Sequence, residues 1–198
     1  MSNGAQQAQL TVNQKVVNWT KGNLGTKIGR GECWDLGEQA LKNAGAQTSN
    51  DLGPVGEDTD YIWGDSIPSV KDVRPGDILQ IRDHVITTIT VTKYVFTDGT
   101  SLEETREHTA QRGHHTAIVS SSPDSNGVIS TYEQHVKPRG DVVQSLRLNT
   151  RSIDPVTTTS KGQYKNPTTK KLEQAKITKT VTVTVTGKIW PYRPKSKT

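Results

Sequence analysis

The stretch Gly29-Arg30-Gly31-Glu32-Cys33-Trp34-Asp35-Leu36-Gly37-Glu38-Gln39-Ala40-Leu41 holds the only cysteine of the chain, at the point where a glycine-rich turn runs into a helical pattern. Leu36, Ala40, Leu41 and Ala44 recur at the spacing of one buried helix face, and Gly45 stands where a helix stop belongs. Cys33 therefore falls at a helix N-terminus. The unpaired N–H groups and partial positive charge there favour an anion. A thiol so placed has a lowered pKa and is a better nucleophile.

A thiol nucleophile needs a base, and imidazole is matched to that task near neutral pH. Gly113-His114-His115-Thr116-Ala117-Ile118-Val119 opens an apolar strand with a histidine pair. Adjacent strand residues face opposite ways, which favours His115 over His114 as the inward base. The base in turn needs a partner on its second nitrogen. Tyr132-Glu133-Gln134-His135 ends the next strand, and a hairpin closing near Asn126-Gly127 would bring Glu133 alongside His115. A lone cysteine is by itself more often a small buried hydrophobe. His84 and His108 lie in polar stretches and are expected to be solvated. No His-x-x-x-His pair exists, and the one histidine set that could ligate zinc is His114, His115 and His135 with Glu133. No metal and no cofactor is expected.

Outward from these motifs, Thr11 to about Thr20 reads as a first helix, with Thr11 and Gln14 as a capping box. Gln47 to about Pro68 reads as a loop anchored by Tyr61 and Trp63. Arg74-Pro75-Gly76-Asp77 is a turn that launches the strand Ile78–Ile81. His84–Thr97 is rich in β-branched residues and ends at the Asp98-Gly99 turn. Leu102–Arg112 is a polar loop or second hairpin arm. His115–Ser120, Val128–Gln134 and Val142–Leu148 read as strands. Thr150 to about Ala175 reads as an irregular, Pro-, Thr- and Lys-rich connection. Thr180–Thr186 alternates with Val181, Val183 and Val185 on one face, a half-buried strand expected to pair back onto the sheet.

The 198 residues suffice for one domain with a core, although only 30% are hydrophobic, with a single Phe and a single Met. One cysteine excludes an intramolecular disulfide and any cysteine-rich zinc site. No apolar run approaches a membrane span and no signal peptide is visible, which leaves localisation open. From Lys161 onward there are ten Lys/Arg against one acidic residue. That segment thus carries +9 and the rest −4 of the total of +5. It is a candidate contact for a polyanion, or simply a solvated tail. Few aromatics interleave the lysines, so no specific nucleic-acid site is expected.

At these residues the chain resembles the CHAP (cysteine, histidine-dependent amidohydrolase/peptidase) domains and the related NlpC-type amidases. Gly31-Glu32-Cys33-Trp34 is similar to their nucleophile motif and Arg74-Pro75-Gly76-Asp77-Ile78 to their Pro-Gly-Asp turn. His115-Thr116-Ala117-Ile118-Val119 is similar to their histidine strand and Glu133-Gln134-His135 to their Glu-x-Asn element. The motifs occur in family order over roughly residues 29–136. The resemblance implies an α+β, papain-like fold, with N-terminal helices packed on an antiparallel sheet carrying long hairpin insertions. The domain expectation is a disordered lead-in over 1–10, a catalytic domain over 11–150, and a basic connection with a C-terminal strand over 151–198.

The implied function is a monomeric cysteine peptidase or amidohydrolase cleaving a peptide or N-acyl amide, in peptidoglycan as is common in that family. Cys33 would be the nucleophile, His115 the base and then the acid, and Glu133 the orienting group. His135 stands where the family often has Asn, so Glu133 and His135 both stay open as third member. Backbone N–H groups at the helix start would hold the oxyanion. Trp34, Glu32, His114 and Trp63 are the candidate cleft residues. The competing readings are a non-catalytic module binding wall glycan or peptide, and an acyl transferase with an acceptor other than water.

Overall fold

A computed structural model describes residues 10–56 and 58–197. The expected lead-in over residues 1–10 falls, except for Leu10, outside the described residues. Three helices come first: α1 (Val12–Gly22), α2 (Cys33–Ala44) and the single turn α3 (Ser49–Leu52). The strands are β1 (Asp65–Ser66), β2 (Ile78–Phe96), β3 (Ser101–Val119), β4 (Val128–Glu133), β5 (Gln144–Asn149), β6 (Ile153–Lys165) and β7 (Leu172–Arg193). They form one seven-stranded sheet in the order β1-β7-β2-β3-β4-β5, with β6 also paired to β7.

This corrects the α+β expectation. Among the described residues strand accounts for 49% and helix for 16%, in three helices, so the fold is mostly antiparallel β-sheet. The difference arises in two segments, one read as a polar loop or second hairpin arm and the other as an irregular connection. Leu102–Arg112 lies wholly inside the 19-residue β3. Much of Thr150–Ala175 is β6. Both are polar because they are exposed on one or both faces, and a ladder needs only backbone groups and side chains that suit a pleat.

The chain divides into two compact units. The first comprises the residues up to His84, Arg112–Thr150 and the residues from Gly187. Its core gathers Val16, Leu36, Leu41, Trp63, Ile78, Ile118 and Val143. The capping box at Thr11 starts α1, with Gln14 Oε1 accepting from the Thr11 amide at 2.8 Å. Asp77 ties the unit together. Its carboxylate is fully buried and accepts from Asn13 Nδ2 of α1 at 2.8 Å, from the Arg74 amide at 2.8 Å and from Arg193 Nη2 of β7 at 3.0 Å. Gly76, at φ 89°, lets the turn lie against α1: a Cβ there would fall 2.7 Å from Asn13 Cα. His84 is 1% exposed, not solvated as expected, and its Nε2–H donates to the Asn149 carbonyl at 2.9 Å.

The second unit comprises Val85–Gln111 and Arg151–Thr186. β6 pairs antiparallel with β7 from Ile153↔Val183 to Lys165↔Leu172. A small core of Tyr94, Phe96 and Ala175 is flanked by Leu102, Tyr164 and Ile177. Tyr94 and Tyr164 stack with ring centroids 3.8 Å apart. Asn166 is buried at the β6–β7 turn and donates to Asp98, Thr100 and Glu173.

Candidate active site

Cys33 is the first residue of α2 and is half-buried with a free thiol. The turn ahead of it depends on Gly29. At φ 57° a Cβ on Gly29 would come 2.7 Å from Asp35 Cγ. Asp35 occupies that space and accepts from the amides of Arg30 at 2.8 Å and Glu32 at 3.3 Å. Gln134, fully buried, grips the same turn from β4's end. Its Oε1 accepts from the Ile28 amide at 2.8 Å, and its Nε2 donates to the carbonyls of Ile28 and Glu32 at 2.9 Å each. The residues flanking the cysteine are therefore held from both sides.

The thiol meets His115, which is 4% exposed. The β3–β4 register, Ile118↔Tyr132, puts His115 and Glu133 on one face of the sheet as diagonal neighbours. His115 Nε2 lies 3.0 Å from Glu133 Oε2. Glu133 is fully buried and takes three further bonds. Arg112 Nε donates to Oε2 at 2.7 Å and Arg112 Nη2 to Oε1 at 3.2 Å. Thr131 Oγ1 donates to Oε1 at 2.6 Å.

Burial alone would push the Glu133 carboxyl up. The bonds and charges of His115 and Arg112 outweigh it and hold the group down to about 2. Glu133 is thus ionised and can only accept, so the imidazole Nε2 carries a proton. For His115, burial acts downward, but the Cys33 and Glu133 contacts raise it to about 9. For Cys33, burial acts upward. The bond and charge of His115, together with the Thr116 and Trp34 amides, reverse this and lower the thiol below its ordinary value. The three groups titrate as a coupled set, with the thiol shifted down and the imidazole shifted up, the directions that favour a thiolate–imidazolium pair beside the carboxylate.

The family model of the AIM3/BBC1 cysteine proteinase-fold domain matches residues 4–154. The chain belongs to this family. The description names a fold and no activity. It supports the papain-like part of the resemblance and does not single out CHAP or NlpC. Searches of curated proteins and of solved structures found no significant match. The AIM3/BBC1 match takes in Cys33, Arg112, His115 and Glu133, and ends at the start of β6.

The other candidates are placed differently. His135 is exposed, at φ 63°, and faces Asp141 at 3.3 Å and Glu32 at 3.7 Å; it makes no bond to His115. His114 is half-buried and bonds the Thr59 carbonyl at 2.6 Å. Glu32 is exposed beside the thiol, and Trp34 is half-buried with its Nε1 donating to Ser49 Oγ at 2.9 Å. Trp63 is corrected as a cleft residue. It is fully buried, donates from Nε1 to Gln80 Oε1 at 3.1 Å and lies under α2. Tyr61, unmentioned as a site residue above, stands between Trp34, Trp63 and His114 at centroid distances of 6.3, 5.7 and 5.3 Å.

Arg112 and Thr131 also escaped the sequence reading, which quoted Gln134 in the strand-end motif without giving it a role. Thr131 could have been found from its place two residues before Glu133, on the same strand face. Gln134 and Arg112 carry no local signal of burial. Among the described residues, no group of three or more His, Cys, Asp or Glu side chains could hold a metal ion. No helix among them is long and apolar enough to cross a membrane.

Proposed function

We propose that this AIM3/BBC1-family domain is a thiol-dependent hydrolase that cleaves a peptide or N-acyl amide bond. The observation that supports the reading is the series Cys33–His115–Glu133, in which the buried imidazole hydrogen-bonds Glu133 and interacts with a half-open thiol. In the proposed reaction the Cys33 thiolate attacks the amide carbonyl, and a C–S bond forms. Negative charge moves to the carbonyl oxygen, within reach of N–H groups at the start of α2. The His115 imidazolium gives its proton to the leaving nitrogen as the C–N bond breaks, which leaves an acyl-enzyme and a neutral imidazole. His115 then takes a proton from water, the hydroxide attacks the thioester, and the acid departs as the thiolate–imidazolium pair is restored. Glu133 orients the ring throughout and offsets its charge. Peptidoglycan, implied by the CHAP resemblance, does not follow from membership of this family, so the proposed substrate class stays at peptide and acyl amides.

Two measurements test the reading. Iodoacetamide alkylation of Cys33 against pH should inflect well below the ordinary thiol value of about 8.5. Turnover of a mixed fluorogenic peptide library should vanish in Cys33→Ala. An ordinary inflection, or turnover that survives in Cys33→Ala, overturns the proposal. Amide products formed with added amines would move the assignment from hydrolysis to acyl transfer.

A further inference from the structure

We infer that Arg112 is a positioning residue of this site: through its two-pronged grip on Glu133 it sets the pH range over which Cys33 and His115 hold their separated charges. The inference rests on the proposed function and names a residue that the reaction itself does not use. Its basis is geometric. Arg112 is 7% exposed and spends two donors on one carboxylate, at 2.7 and 3.2 Å. Such a fork fixes the carboxylate plane, and with it the direction of the bond to His115 Nε2.

A fully buried carboxylate facing a single imidazole has two ways to relieve its desolvation. It can ionise and hold the proton on the ring, or it can take that proton itself. The guanidinium stays charged at every relevant pH and so closes the second route. The charged groups facing the pair are few. Arg112 and His115 face Glu133 from β3, and Thr131 faces it from β4. Gln144 of β5 is its uncharged register partner, and Cys33 of α2 interacts with the imidazole. The series therefore alternates in sign from Arg112 to Cys33, and Arg112 is its outer end.

Removing that end has one expected direction. If Glu133 stays ionised, the site loses a positive charge and the thiolate forms less readily. If Glu133 takes a proton instead, the imidazolium loses its counter-ion and the thiolate again forms less readily. The test is the Cys33 alkylation profile of wild type, Arg112→Gln and Arg112→Lys, each with a thermal melt to confirm folding. The acid limb should move up by about one pH unit, tenfold in thiolate fraction at fixed pH, in Arg112→Gln. It should move by a smaller, measurable amount in Arg112→Lys, which keeps the charge and loses the fork. A folded Arg112→Gln with the wild-type profile overturns the inference. If Arg112→Gln does not fold, an unmoved profile in Arg112→Lys overturns it. A wild-type profile with an ordinary thiol inflection would instead overturn the proposed function, so the two failures are distinct.

Discussion

The two candidates for third member of the site differ in what surrounds them. Glu133 is sealed from water and bonded to His115, Arg112 and Thr131. His135 stands in solvent between Glu32 and Asp141. Glu133→Gln keeps the shape and removes the charge that stabilises the imidazolium. Turnover should fall by about 100-fold or more, the scale of a positioned acid–base pair. His135→Ala should stay within about twofold of wild type, as surface substitutions do. Comparable losses in both would return His135 to the site.

The same carboxylate makes a stability prediction with a definite sign. Glu133 falls from 4.5 to about 2 on folding. Its contribution is therefore present above 4.5 and is lost as pH drops through about 2. His115 rises from 6.5 to about 9, so its contribution is full below 6.5 and lost as pH rises through about 9. Cys33, lowered, acts in the opposite sense at the alkaline end. The alkaline arm is thus shallow and the acid arm clean. Thermal melts should show a Tm that falls from pH 4.5 toward 2 in wild type, and less steeply in Glu133→Gln. Equal slopes would place the acid sensitivity elsewhere. Cys33 and His115 were legible at this scale because a helix start and a run of apolar strand residues are local patterns. Arg112 was not, since it closes a polar run and only β4 makes its position an interior one.

Among the elements, α2 carries the nucleophile and must lie close to β3. Gly37 permits the approach. A Cβ on Gly37 would sit 3.1 Å from the Trp63 ring and 3.2 Å from Thr116 Cγ2, the residue next to His115. Gly37→Ala improves helix propensity by about 1 kcal/mol and forces α2 outward by a few tenths of an ångström. The two effects on stability oppose each other, whereas the effect on the thiol–imidazole contact has one direction. The expected result is a Tm near wild type with an alkylation inflection displaced upward; an unmoved inflection would show that the helix shifts without losing His115. Helix α2 could be read from its periodicity and its Gly45 stop, and Gly45 does adopt φ 70°. The arm of β6 could not, and that of β3 only as one of two alternatives. Their exposed polar faces lack the buried stripe that distinguishes a strand from a loop, and the ladder that forms them joins residues distant in sequence.

For the molecule as a whole, the site depends on joining segments from opposite ends of the first unit, and Asp77 is where they meet. Its hydrogen bonds reach back 64 residues to Asn13 and forward 116 residues to Arg193. Its own carbonyl accepts from the Val119 amide at 2.8 Å, on the strand that carries His115. The Pro-Gly-Asp turn was visible as a turn, but its aspartate's partners were not, because no local pattern specifies contacts at such separations. Asp77→Ala leaves Arg193, Asn13 and the Arg74 amide without their shared acceptor. Breaking a buried pair of this kind costs about 3 kcal/mol, with Arg193 retaining some access to water. For a chain of this length that corresponds to a drop in Tm of roughly 10 °C. The alkylation inflection, read at a temperature where Asp77→Ala is folded, should stay at its wild-type pH, since Asp77 touches none of Cys33, His115 or Glu133. A Tm loss accompanied by an ordinary thiol inflection would mean that the joint between the chain ends and the charge series of the site are one cooperative unit.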